Sequence, residues 1–138
     1  MNKEFARVIQ LSSVTHELLG RRIRLVGRVM KTDLVSPLIW LEDEGHHQLA
    51  DISVVLASDN SNMELFRQPR CHVMVTGYIE QLEADEVIPP YSSIKPDLVV
   101  RALWVQSVPN LDIRAWRESV HAREELIERA RRIGSSNS

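Results

Sequence analysis

Hydrophobic and polar positions alternate with period two over several short stretches in the middle of the chain, then switch to a helical period near its end. From Arg22 to Met30, Ile23, Leu25, Gly27 and Val29 lie on one side and Arg22, Arg24 and Arg28 on the other, which is the pattern of a half-buried strand. Gly27 in its middle predicts strong bending or a bulge, as a small barrel needs where a strand turns a corner. A second strand is predicted from Leu38 to Asp43, between the turn at Ser36-Pro37 and Glu44-Gly45. A third runs from about Gln48 to Leu56, with Ala50, Ile52, Val54 and Leu56 alternating against Asp51 and Ser53. Residues 60–67 read as one or two helical turns closed by Pro69. The fourth strand, about Cys71 to Leu82, is the most β-branched piece, and the fifth, Leu98 to Val108, ends at Pro109. Between them, Ala84 to Asp97 carries Pro89, Pro90 and Pro96 and is predicted to be a loop.

Two further segments have a helical pattern. Ser13 to Leu19 reads as a short helix capped by Ser12 or Ser13 and ended by Gly20. Asp112 to about Ile133 reads as a long one, roughly 33 Å at about 1.5 Å per residue, capped by Asn110 or Asp112 and ended by Gly134. Five strands with a helix between the third and fourth is the element order of the OB-fold, an all-β barrel. A β-sandwich of immunoglobulin type needs about seven strands and no such helix. The expected organisation is therefore one OB-fold domain over residues 1–133, with the barrel at about 20–108 and the C-terminal α-helix at about 112–133. Residues 134–138 are expected to form a disordered tail.

The long helix is more than one barrel needs. Ile113, Trp116, Val120, Ile127 and Ala130 form one stripe, interrupted by Arg123, and Ala115, Ala122, Leu126 and Ile133 flank it. The first turns can dock on the barrel, but a barrel about 25–30 Å across leaves the last turns overhanging. Leu126, Ile127 and Ile133 would then be exposed together, a cost that a partner helix laid alongside removes.

Composition narrows the function classes. The 138 residues carry Lys+Arg 17 against Asp+Glu 19, a net charge of −2, whereas a protein whose main task is gripping a nucleic-acid backbone usually has a basic surface. Between Thr32 and Phe66 there are seven acids (Asp33, Glu42, Asp43, Glu44, Asp51, Asp59 and Glu64) and no Lys or Arg. No apolar run is long enough to span a membrane, and the first residues lack the pattern of a signal peptide. The single Cys71 can form neither an internal disulfide nor a multi-thiolate metal site, and begins an apolar strand, as a buried inert thiol does. His46-His47 sits in a predicted turn, and adjacent histidines on a strand point to opposite faces, so no metal and no cofactor is expected. No Gly-rich phosphate loop, paired Cys motif or HExxH occurs, and a non-catalytic protein is expected.

OB-folds bind single strands across their second and third strands, stacking bases on aromatics and following phosphates with cations. Alternation in Leu38–Leu41 puts Ile39 and Leu41 inside and Trp40 outside, where a stacking platform would sit or where a loop or partner would cover it. Tyr91 in the Pro-rich loop is a second candidate, and Arg22, Arg24, Arg28 and Lys31 share a strand and its exit and could follow a phosphate chain or form a solvated face. Arg101, alone on an apolar strand, can pair with Glu80 or a helix acid, or meet DNA.

An OB-fold followed by one long helix is also the plan of the small subunits of single-strand-binding heterotrimers. The run Val99-Val100-Arg101-Ala102-Leu103-Trp104-Val105, then Val108-Pro109-Asn110-Leu111, then Trp116-Arg117-Glu118-Ser119-Val120-His121-Ala122-Arg123-Glu124 resembles the smallest subunit of the CST telomere-capping complex. Gly27-Arg28-Val29 and Val75-Thr76-Gly77 also fit that pattern, and the resemblance extends over residues 13–130. It implies a nuclear protein at telomeres that binds the middle OB subunit through barrel and helix, with Trp116, Val120, Arg123, Leu126 and Ile127 facing the partner. It further implies that the assembled complex, with its large subunit, holds the single-stranded telomeric DNA and supports polymerase α–primase in filling the complementary strand. A small subunit of the general single-strand-binding heterotrimer, or a self-sufficient single-strand binder using Trp40 and the arginine strand, are the alternatives.

Overall fold

The computed structural model describes residues 5–30, 36–58, 72–89 and 96–136. Its strands are β1 (Arg7–Val8), β2 (Arg22–Val29), β3 (Leu38–Asp43), β4 (His46–Asp51), β5 (His72–Gln81) and β6 (Leu98–Ser107). Among the described residues there are two α-helices, α1 (Ser53–Ser58) between β4 and β5 and α2 (Ile113–Ser136) after β6. The strand order is β1-β2-β3-β4-β6-β5, and β5 pairs back on β2, which closes the barrel. The fold is the expected OB-fold with a long C-terminal helix. β1 was not anticipated: two residues that pair in parallel with Ile23 and Arg24 leave no periodic signal. No helix among the described residues is long and apolar enough to cross a membrane.

Inward residues of every long strand fill one core, with Ile23, Leu25, Ile39, Leu41, Val75, Ile79 and Val100 all essentially inaccessible. β2 makes the corner of the barrel by changing partner. Arg22 to Arg28 pair with β5, whereas Arg28 and Val29 pair with β3. The register through Gly27 is continuous, so the expected bulge is not there. A Cβ at Gly27 would lie 2.8 Å from Leu11 Cδ1 and 3.1 Å from Leu41 Cβ, so the glycine makes room for the Leu11 turn. The irregularity falls instead between Thr76 and Gly77 on β5, opposite Leu103.

Four local expectations are corrected. The third strand ends at Asp51 rather than Leu56. There the Asp51 carboxylate accepts the Ser53 N–H at 2.9 Å, an Asx-type turn that starts α1 and turns the alternating Val54 and Leu56 into helix residues. Ser13–Leu19 is not an α-helix but two 3-10 turns, Leu11–Ser13 and His16–Leu18, because so few residues cannot offset helix nucleation. Ser13 Oγ donates to Glu124 on α2 instead of capping its own segment. Gly134 does not end α2: the only glycines with positive φ among the described residues are Gly20 and Gly45, and the helix continues to Ser136 through residues expected in a tail. His46 and His47 open β4 rather than sitting in the turn, which is Glu44-Gly45 with both φ positive, the geometry of a tight hairpin. The helical turns expected at 60–67 and Cys71 lie outside the described residues.

Candidate partner and nucleic-acid interfaces

Helix α2 starts where Asp112 accepts the Ala115 N–H at 3.1 Å, and lies along the barrel on one face only. Val120 is buried, and Trp116, Arg117, Glu124 and Ile127 around it are half-buried. Two polar latches orient the helix. Glu124 accepts the Gln10 N–H at 3.0 Å and the Ser13 hydroxyl at 3.1 Å. Arg117 donates from Nε to Asp43 at 2.8 Å and reaches Glu44 at 3.1 Å, so the β3–β4 hairpin holds the first turns. Hydrogen bonding to Asp43 and the charges of Asp43 and Glu44 outweigh burial and raise the Arg117 pKa.

The face of α2 away from the barrel is exposed. Ala115, Ser119, Ala122, Leu126 and Ile133 follow one another at steps of four, three, four and seven residues, the spacing of a helix–helix seam. Leu126 is 64% and Ile133 62% exposed. Of the residues expected to face a partner, Leu126 and Arg123 are therefore on open surface, and Trp116 and Ile127 flank the barrel contact. Val120 is a correction, because its side chain is already used against the barrel. The stripe containing it is the barrel-facing one, and the flanking row is the exposed one.

The outer face of β3 is closed off. Ile39 and Leu41 point into the core and Trp40 away from it, as alternation requires, yet Trp40 is only 5% exposed. It packs with Leu38, Leu49 and Val99 under Leu82 and Ile88, and its Nε1 donates to the Pro89 carbonyl at 2.9 Å. Trp40 is thus no open stacking platform; the segment 82–89 occupies the place a base would take. Arg101 ties that segment down. Its guanidinium contacts Glu86 through both Nη atoms, Glu80 at 3.0 Å and Asp51 at 3.1 Å, which settles its pairing in favour of carboxylates. The Glu86 hydrogen bond leads the causes that raise the Arg101 pKa, and the Arg101 hydrogen bond holds Glu86 below the usual carboxylate range. Ser36 Oγ, donating to the Val87 carbonyl at 3.1 Å, adds a second tie.

The arginine strand is partly neutralised as well. Arg28 pairs with Glu42 across the β2–β3 ladder, and Arg24 Nε donates to Thr76 Oγ1 at 3.1 Å on β5. Burial raises the Glu42 pKa, but hydrogen bonds from the Gly45 N–H and Arg28 outweigh it and leave the carboxyl lowered. Arg22 makes no ion pair with a described residue. Lys31 and Tyr91 lie outside the described residues. Trp104, which carried no expectation, is 54% exposed on β6 beside the irregularity.

The lowered Glu86 and Glu42 carboxyls fix a pH dependence. A depressed folded pKa adds stability above the unfolded value of about 4.3 and loses it as pH falls through the folded value. Thermal unfolding is expected to drop between about pH 5 and 3, and Glu86→Gln to flatten part of that drop while lowering stability at pH 7. Melting temperatures followed by circular dichroism across that range check the sign.

No family model matches the chain, and no curated protein matches it. Solved structures do. A chain of the Schizosaccharomyces pombe Stn1–Ten1 complex superposes with a TM-score of 0.64 at 17% identity, over 90% of this chain and 96% of that one. The fold is shared with Ten1. The S. pombe telomere-capping protein Ten1 on its own superposes at 0.61 and 17% identity, over 88% of this chain and 99% of Ten1. An Entamoeba histolytica asparaginyl-tRNA synthetase reaches 0.59 at 14% identity, over 81% of this chain but only 26% of the synthetase. The superposition thus takes in nearly all of Ten1 but only about a quarter of the synthetase.

Proposed function

We propose that this protein is a Ten1-like, non-catalytic small subunit of a telomere-capping complex in the nucleus. It joins a middle OB subunit of the Stn1 kind through α2, and single-stranded telomeric DNA is held by the assembly. The large subunit and polymerase α–primase are reached indirectly, through that partner, in end protection and fill-in of the complementary strand. The observation that carries the reading is the exposed seam Ala115–Ser119–Ala122–Leu126–Ile133, on a chain whose fold superposes over 99% of Ten1. The sealed Trp40 supports it, since the usual single-strand face of this barrel is filled by its own chain.

Co-expression with a middle-subunit OB domain, read by size-exclusion chromatography with light scattering, tests it. A 1:1 heterodimer is expected for the unaltered chain. Leu126→Glu/Ile133→Glu is expected to abolish co-elution while leaving the monomer folded, because both side chains are largely exposed on the isolated chain. A well-folded chain that stays monomeric beside the middle subunit would overturn the reading.

A further inference from the structure

Two sets of arginines stand at opposite extremes among the described residues. Arg28, Arg101 and Arg117 all pair with carboxylates. At the opposite extreme, Arg7, Arg21, Arg22 and Arg131 line one concavity of about 250 Å³ with a single carboxylate, Glu17, on its wall. None of those four guanidiniums is ion-paired among the described residues. The Nε atoms of Arg7 and Arg22 are moreover buried without a hydrogen-bond partner. Three separate parts of the fold bring them together: β1, the chain entering β2, and the last turns of α2. Glu124 and Glu128 line the adjoining cavity with Arg7 and Arg131; Glu124 accepts from Gln10 and Ser13, and Glu128 lies 3.7 Å from Arg132.

Unpaired, partly desolvated guanidiniums are unfavourable by themselves, and their planar forks match phosphate oxygens in a bidentate way. Phe5 stands on the rim, 86% exposed, an apolar ring in the position of a base-stacking surface beside cations. We propose that this basin binds the phosphodiester backbone of a single-stranded nucleic acid, with one base stacked on Phe5. The site is separate from the face of the second and third strands that OB-folds ordinarily use. The exposed ring favours a nucleic acid over an acidic protein segment, which would need carboxylate partners but no stacking surface. The proposal goes beyond the partner-docking role and is tested on the chain alone.

Fluorescence anisotropy with labelled fifteen-nucleotide oligothymidine and oligouridine, at 50 and 200 mM salt, provides the test. Binding is expected to weaken by about tenfold between those salts as condensed counterions are released. Arg21→Glu/Arg131→Glu, both at exposed side chains, is expected to cost at least tenfold, and Phe5→Ala about threefold or more. Arg114→Glu, at the far end of α2 and highly exposed, is expected to stay within twofold. Equal binding of both oligonucleotides supports a backbone site, and preference for one adds a sugar or base contact to it. Loss of affinity in Arg114→Glu equal to that in the basin variant would overturn the proposal in favour of diffuse attraction. So would no binding by the unaltered chain at 50 mM salt, or displacement of the oligonucleotide by polyglutamate as readily as by unlabelled strand.

Discussion

Gly77→Ala is expected to leave the chain without a stable barrel. A Cβ at that position would lie 2.2 Å from the Arg101 carbonyl oxygen and 2.9 Å from Ala102 Cα, well inside contact distance and against backbone on both counts. A flexible side chain could swing aside; the backbone of β6 cannot do so without giving up its register with β5. That register already shifts at Thr76/Gly77, so the added Cβ would fall where the ladder is least regular. The cost is on the order of 4 kcal/mol, a large part of the stability of a domain this size. Denaturant unfolding should show either no cooperative transition or a midpoint moved down accordingly. Gly45→Ala is the instructive contrast: nothing lies within 4 Å, so its cost is only that of positive φ, about 1 kcal/mol.

Arg101→Met is expected to lower stability by about 3 kcal/mol and to uncover Trp40. The substitution keeps the apolar stem and removes the one cation that Asp51, Glu80 and Glu86 share, leaving carboxylates close together with nothing between them. With Glu86 released, segment 82–89 retains the Ser36–Val87 and Trp40–Pro89 hydrogen bonds but loses its charged anchor. Faster hydrogen exchange of the Trp40 indole N–H, together with a lower denaturation midpoint, is the expected pair of observations. A lower midpoint with the indole still protected would show that Arg101 supports the sheet but not the covering segment.

The parts of this fold that could be read in the sequence are those whose partners are near or whose periodicity is long. Ile23, Leu25 and Val29 announce β2 by alternation, and Ile39 and Leu41 do the same for β3. Val54 and Leu56 alternate just as well, but one hydrogen bond from the Ser53 N–H to the Asp51 carboxylate turns them into a helix, and period two over four residues cannot reveal that. The outward direction of Trp40 was legible, whereas its cover was not, since Pro89 is far along the chain. The same distance hides the division among the arginines. Nothing in the letters says that Arg117 meets Asp43 or that Arg7 forms no ion pair among the described residues; only the closed barrel decides it. On α2 both apolar rows were visible, and the assignment of which row faces the barrel had to await Val120.

Closure of the barrel also constrains how the chain can fold. The β3–β4 hairpin is local and can form early, but β2 must find β5, and β4 must find β6 in parallel, with Leu49 opposite Val99 and Ile23 opposite Gly77. Pairings so distant in sequence carry their loop-closure entropy before any contact offsets it, and folding of such chains is correspondingly slow. During synthesis nothing can seal the cylinder until the residues after Leu98 have left the ribosome. Until then the nascent protein presents open strand edges and the apolar side chains of its future core, and it depends on the protection that cells provide for unfinished chains.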